Sequence, residues 1–200
     1  MAPVNHPMPD LSIEGGTFRI GGAYQLDTRR SNRYHEAIAG LLTAATRRDS
    51  VQALILGGGD GCAAEVLLRF PQVLSIDIVD HDARVFALGR SASILRELNR
   101  GCLDDPRVHT YVQDAYDFVT TSCPEGRFYD LVIMDFTATD GSAAIDGSGM
   151  HEAVESILRP DGAWSRVCDL PWRAVVAWVD RTPVRVFDTG GETFLFAVRN

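Results

Sequence analysis

Val51-Gln52-Ala53-Leu54-Ile55-Leu56-Gly57-Gly58-Gly59-Asp60-Gly61-Cys62-Ala63-Ala64-Glu65-Val66-Leu67-Leu68 is the stretch on which the fold turns. A β-prone apolar run, a turn rich in glycine and a run of helix formers follow one another without a break, which predicts strand, turn and helix. Residues without a Cβ let the backbone approach a nucleotide-like ligand closely. A phosphate at such a turn wants backbone N–H groups and the positive end of the helix. The carboxylate of Asp60 is out of place for a phosphate and suits a ligand with positive charge, such as a sulfonium or an amine. The loop reads as the cradle of a cationic nucleoside.

Outward from that loop, composition bounds the rest. A chain of 200 residues with 46% hydrophobic residues can build one well-cored domain and is too short for two generous ones. A formal charge of -8 argues against a nucleic-acid binder and agrees with cationic small substrates. Cys62, Cys102, Cys123 and Cys168 are widely spaced without a Cys-x-x-Cys pair, so neither a disulfide framework nor a zinc site is expected, and a reduced, cytoplasmic compartment fits. His6, His81, His109 and His151 have no metal-ligand spacing, and no metal is expected. No apolar run reaches membrane-spanning length, and the residues around Asn5, His6, Pro7 and Pro9 read as a loose tail rather than a signal segment.

Along the chain, strands and helices alternate, which predicts an α/β fold: a doubly wound, mostly parallel, seven-stranded Rossmann-like sheet with a short N-terminal β-hairpin. Residues 1–31 are expected to form the tail and hairpin and 32–200 the main domain, starting with a helix from Asn32 to about Arg47. The predicted strands are Val51 to Leu56, Val73 to Val79, Val108 to Val112, Leu131 to Met134, Ala163 to Val167, Val184 to Phe187 and Thr193 to Val198. Between them, helices are predicted over Cys62 to Phe70, Ala83 to Leu98, Ala115 to Thr121, His151 to Leu158 and Trp172 to Val179, and the last two strands pair antiparallel across Gly190-Gly191. Leu131-Val132-Ile133-Met134 is the unbroken apolar run expected of a buried parallel strand.

Asp60, Asp80, Asp114 and Asp135 each follow a predicted strand. In an open parallel sheet ligands bind beyond the carboxyl ends of the strands, so four acids far apart in sequence converge on one crevice. Asp80 lies about twenty residues past the glycine loop, where a carboxylate accepts both ribose hydroxyls, and Asp114 would reach an adenine edge. Asp82 is expected to cap a helix, and Asp77 falls within a strand.

These residues resemble the spermidine synthases, or polyamine aminopropyltransferases, whose fold is that of class I S-adenosylmethionine-dependent methyltransferases. Leu56-Gly57-Gly58-Gly59-Asp60-Gly61 is similar to that family's glycine motif, Val79-Asp80-His81-Asp82 to its ribose-binding turn, and Gln113-Asp114-Ala115 to its adenine segment. Phe128-Tyr129-Asp130-Leu131-Val132-Ile133-Met134-Asp135 resembles the strand that ends in the catalytic aspartate. Gly21-Gly22-Ala23-Tyr24-Gln25, Tyr34-His35-Glu36 and Pro171-Trp172 also have counterparts.

The resemblance implies that Gln25 and Asp80 hold the methylthioadenosine part of a donor, with Gly57, Gly59 and Gly61 beneath it and Asp114 and Ala115 at the adenine. His35 and Asp60 would face the aminopropyl amine, Asp135 would be catalytic, and Tyr34 and Asp140 would serve the acceptor. The co-substrate is decarboxylated or intact S-adenosylmethionine, without a metal. The partner is a small-molecule amine, not a nucleic acid or a membrane, and a homodimer is compatible with the resemblance. Departures fall on the acceptor side. Asp135-Phe136-Thr137-Ala138-Thr139-Asp140-Gly141 has a longer spacer before its second acid than the family pattern, the N-terminal β region is shorter, and Val186-Phe187-Asp188-Thr189-Gly190-Gly191 stands where a Tyr- and Pro-rich segment is usual.

Aminopropyl transfer is favoured by Asp60, which would repel the α-carboxylate of the intact donor, and by Ile55, where many methyltransferases carry an acid. Methyl or aminocarboxypropyl transfer is the alternative. A non-catalytic nucleoside-binding relative is the third, and Asp135 speaks against it because a pure binder gains little from a carboxylate at the reacting centre.

Overall fold

A computed structural model describes residues 8–27, 35, 48–123, 126–135, 149–168, 184–188 and 193–198. Its main sheet is built from β4 (Val51–Gly57), β5 (Val73–Asp80), β6 (Val108–Val112), β7 (Tyr129–Asp135), β8 (Leu158–Cys168), β9 (Val184–Asp188) and β10 (Thr193–Val198). The strand order is β6-β5-β4-β7-β8-β10-β9. β4 to β8 run parallel, and β10 is antiparallel to both β8 and β9.

Side chains of β4 alternate between two cores, as a strand period of two requires. Val51, Ala53 and Ile55 pack with Ala63, Leu67 and Phe86 on one face. Leu54 and Leu56 pack with Phe118, Val154 and Trp164 on the other. Cover on both faces explains the unbroken apolar run Leu131-Val132-Ile133-Met134 within β7. The chain steps from β4 through β5 to β6 on one side, then crosses to β7 and β8 on the other. The order therefore reverses between β4 and β7, and Gly57 stands opposite Asp135 at that switch point.

Two buried carboxylates brace the sheet. Asp77, fully buried, accepts the Tyr129 hydroxyl at 2.6 Å and pairs with Arg127 Nη2 at 2.9 Å. Burial and the neighbouring Asp77 charge push the Tyr129 hydroxyl far above its ordinary range. Asp130 accepts the Gln52 N–H at 2.9 Å and pairs with Arg48 at 3.1 Å.

Three local expectations are corrected. The N-terminal hairpin is a three-stranded antiparallel sheet of β1 (Leu11–Glu14), β2 (Thr17–Ile20) and β3 (Ala23–Asp27). Its second turn, Gly21-Gly22, continues the meander, and Phe18 and Leu26 pack with Cys62, Val85 and Leu95. The helix expected over Ala83 to Leu98 breaks at Ala92, with φ -72 and ψ 124, into Ala83–Ser91 and Ser93–Asn99. Neither Gly nor Pro causes the break. Side chains take over carbonyls of the last turn before the break: Arg96 Nη1 donates to Arg90 O and Asn99 Nδ2 to Gly89 O. The short helix after Asp114 runs over Ala115–Asp117 and widens into a π turn over Phe118–Ser122. The helices expected near 32–47 (apart from residue 35) and over 172–179, the turn at Gly190-Gly191, and Tyr34 and Asp140 lie outside the described residues. Among those described, no helix is long and apolar enough to cross a membrane.

Candidate functional site

The glycine turn leaves β4 with Gly57 and Gly58 both at positive φ and enters the helix Cys62–Leu68 through Gly61 at φ 86. Two of its glycines are required by what lies against them. A Cβ on Gly58, where φ is 66, would stand 3.2 Å from Asp135 Oδ2. A Cβ on Gly59 would stand 2.8 Å from Asp80 Oδ2, closer than carbon and oxygen can come. The bare backbone thus passes directly between the acids that end β5 and β7.

Asp80 is buried, and both of its carboxylate oxygens hold backbone. Oδ2 accepts the Gly59 N–H at 3.0 Å and Oδ1 accepts the Asp82 N–H at 2.9 Å. Burial raises its carboxyl above the usual carboxylate range despite those two bonds. Asp82 caps the next helix by accepting the Arg84 N–H at 2.9 Å. Gln113 donates its N–H to Asp80 O at 3.1 Å, which brings the end of β6 alongside.

Asp60, His35 and Asp135 form the second half of the cluster. His35 is 5% exposed, and its Nε2 lies 3.5 Å from Asp135 Oδ2. Asp60 Oδ1 accepts the Cys62 N–H at 2.8 Å, so the side chain folds onto the start of the helix. Burial pushes the Asp60 carboxyl above its ordinary value; His35 pulls it down and Asp135 pushes it up. Two carboxylates and one imidazole therefore feel one another across the strand order reversal. A small cation in their midst would satisfy both acids.

The structure brings together Gly57, Gly59, Asp60, Gly61, Asp80, His35 and Asp135. Asp114 is exposed at the end of β6 and accepts the Asp117 N–H at 3.0 Å, with half-buried Ala115 beside it. Gln25 stands half-buried on β3, next to Leu26, which packs in the same cluster as Cys62. Asn99 was missed by sequence reasoning. Its buried amide donates to Asp60 O, 39 residues away. In sequence it reads only as a helix stop before Arg100-Gly101.

The spermine/spermidine synthase domain matches residues 31–178, more than half of the chain. Polyamine aminopropyltransferase 2 of Bacillus anthracis is 34% identical over 133 residues, which is 66% of this chain and 36% of that protein. Polyamine aminopropyltransferase 1 of Streptomyces coelicolor is 32% identical over 145 residues, 72% of this chain and 26% of that protein. The chain thus spans about a quarter to a third of the length of these relatives. Among solved structures, a spermidine synthase in complex with the transition state analogue AdoDATO has a TM-score of 0.78 at 21% identity, covering 92% of this chain and 66% of that one. Spermidine synthase from Thermotoga maritima has a TM-score of 0.76 at 22% identity, covering 92% and 65%. Human methyltransferase-like protein 13 in complex with SAH has a TM-score of 0.66 at 22% identity, covering 84% and 82%. These structural likenesses carry the fold.

Proposed function

This chain belongs to the spermine/spermidine synthase family, and from that premise we propose that it transfers an aminopropyl group from decarboxylated S-adenosylmethionine to a small amine. The supporting observation is the cluster of Asp60, His35 and Asp135 around the strand order reversal, with Asp80 tied to the same loop. Asp80 accepts the ribose hydroxyls of the donor, Asp114 and Ala115 flank its adenine, and Gln25 completes the hold on the methylthioadenosine part. Asp60, with His35, receives the ammonium end of the aminopropyl arm; Tyr34 and Asp140 serve the acceptor.

The chemistry is a displacement at carbon. A neutral amine directs its lone pair at the methylene next to the sulfonium, the new C–N bond forms, and the C–S bonding pair returns to sulfur, leaving neutral methylthioadenosine. The attacking nitrogen, now bonded to the transferred carbon, carries the positive charge and loses a proton. Asp135 orients the attacking amine, stabilises the growing positive charge and takes that proton. The acids serve this reaction better than they would serve intact S-adenosylmethionine, whose α-carboxylate would face Asp60. Two like charges about 4 Å apart repel by roughly 1 to 4 kcal/mol at effective dielectrics between water and protein surface.

Calorimetric titration with decarboxylated S-adenosylmethionine, the intact donor and methylthioadenosine tests the reading. The decarboxylated donor should bind at least about tenfold tighter than the intact one, a difference of about 1.4 kcal/mol. Tighter binding of the intact donor would overturn aminopropyl transfer and favour methyl or aminocarboxypropyl transfer. No binding of any of the three would remove the nucleoside site. Tight donor binding without turnover on a panel of diamines would leave a non-catalytic relative.

A further inference from the structure

Asn99 ends the Ser93–Asn99 helix, is fully buried, and uses all of its amide on backbone. Nδ2 donates to Asp60 O at 2.7 Å and to Gly89 O at 2.9 Å, and Oδ1 accepts the Gly101 N–H at 2.8 Å. The partners dictate the orientation: two carbonyls can only accept and one N–H can only donate, so the amide fits one way round. Arg100 at φ 52 and Gly101 at φ 70 turn the chain back to bring that N–H onto Asn99. From the other side, the Ala83–Ser91 helix meets the same loop through Gly89, where a Cβ would lie 3.0 Å from Asp60 O and 3.1 Å from Gly59 O. Asp60 is therefore held at both ends: its carbonyl by Asn99 and its carboxylate by the Cys62 N–H. With both ends fixed, the carboxylate is held over the start of the Cys62–Leu68 helix, where it feels the charges of His35 and Asp135.

We propose that Asn99 is a positioning residue of the donor site: by holding the Asp60 carbonyl it aims the Asp60 carboxylate at the charged end of the donor, and so sets the discrimination between amine-bearing and amine-free nucleosides. This rests on the reading of Asp60 as the partner of the aminopropyl ammonium. A serine at 99 is too short to bridge the Asp60 and Gly89 carbonyls. An alanine at 89 presses on the Asp60 carbonyl, and on the Gly59 carbonyl and Leu103 Cδ1 beside it, while the Asn99 side chain itself is unchanged.

The test is calorimetric titration of wild type, Asn99→Ser and Gly89→Ala with decarboxylated S-adenosylmethionine and methylthioadenosine, with thermal unfolding alongside. In both variants methylthioadenosine affinity should stay within about threefold of wild type, while the wild-type preference for the amine-bearing donor falls about tenfold. A merely structural role would lower the unfolding temperature and weaken both ligands alike, leaving their ratio unchanged. If Asn99→Ser does not fold, Gly89→Ala decides. A wild-type ratio preserved within twofold in the folded variants overturns the role of Asn99 while leaving the donor reading in place. A wild-type protein with no preference between the two nucleosides overturns the donor reading itself, and the role of Asn99 with it.

Discussion

Gly59→Ala should separate the glycine loop from Asp80. The added Cβ would lie 2.8 Å from Asp80 Oδ2 and 3.2 Å from Asp80 Cβ and Cγ, where ordinary contact begins at 3.4 Å. Relief requires the loop and the carboxylate to part by about 0.6 Å, the difference between 2.8 and 3.4 Å. The Gly59 N–H to Oδ2 bond, now 3.0 Å, would stretch to roughly 3.6 Å, at which length it is no longer a hydrogen bond. A buried hydrogen bond to a charged group contributes about 1.5–3 kcal/mol, and overpacking costs about 1–3 kcal/mol. The two effects share one displacement, so a combined loss of about 2–4 kcal/mol is expected. For a chain of this size each kcal/mol lowers the unfolding temperature by about 2–4 °C.

Methylthioadenosine is the ligand that isolates the effect, because it lacks the charged arm that Asp60 would meet. A displaced Asp80 loses at least one good bond to the ribose, so the calorimetric Kd should rise about 10- to 100-fold. Thermal unfolding and titration on one preparation separate the two consequences. An unfolding temperature within 1 °C of wild type and a Kd within twofold, against expected changes of roughly 4–16 °C and 10- to 100-fold, would refute the reasoning from loop to ribose.

Two further substitutions act elsewhere in the sheet. Asp135→Asn keeps the shape of the side chain and should leave donor affinity within about tenfold, while turnover on the amine falls by about 100-fold or more in single-turnover kinetics; unchanged turnover would remove Asp135 from the reaction. Tyr129→Phe deletes the 2.6 Å bond to fully buried Asp77 and should cost about 1.5–3 kcal/mol in denaturant melts, and a loss below about 0.5 kcal/mol would show that Arg127 alone satisfies that charge.

What could be read from the sequence follows the range of the physics involved. The β4, loop and helix unit was legible because its signals are local: a β-prone run, residues able to take positive φ, and a run of helix formers. The meeting of Asp60, Asp80 and Asp135 was legible because a parallel sheet gathers its carboxyl ends at one edge. His35 could be reached only through resemblance, since a histidine on a helix carries no signal of a carboxylate on a strand 100 positions on. The break at Ala92 was illegible because no breaker sits there, and the carbonyls of the turn before it are taken by the Arg96 and Asn99 side chains. Asn99 was illegible for the same reason. A helix-ending Asn is ordinary, and only the folded chain sets its amide against Asp60 O.

The cluster that would select a cation also works against the fold that carries it. Burial and the repulsion of Asp135 oppose ionisation of the Asp60 carboxyl, and His35 favours it. Its carboxyl therefore lies above the ordinary 3.8 in the folded chain. The sign follows from linkage: as pH rises from that value toward the raised folded value, the unfolded chain gives up the proton first, so stability falls, and the penalty is complete above the folded value. Asn at position 60 retains the Oδ1 that accepts the Cys62 N–H and discards the charge. Asp60→Asn should accordingly unfold at a higher temperature than wild type at pH 7, with the gap closing as the pH falls to 3.8. Each tenfold displacement of the acid constant is worth about 1.4 kcal/mol. The same substitution should abolish the preference for the decarboxylated donor. In wild type, a bound ammonium favours the ionised carboxylate, so donor affinity should weaken on acidification more than that of methylthioadenosine, which depends on Asp80 but not on Asp60. A variant no more stable than wild type at pH 7, with the donor preference intact, would show that Asp60 neither bears the strain nor makes the choice.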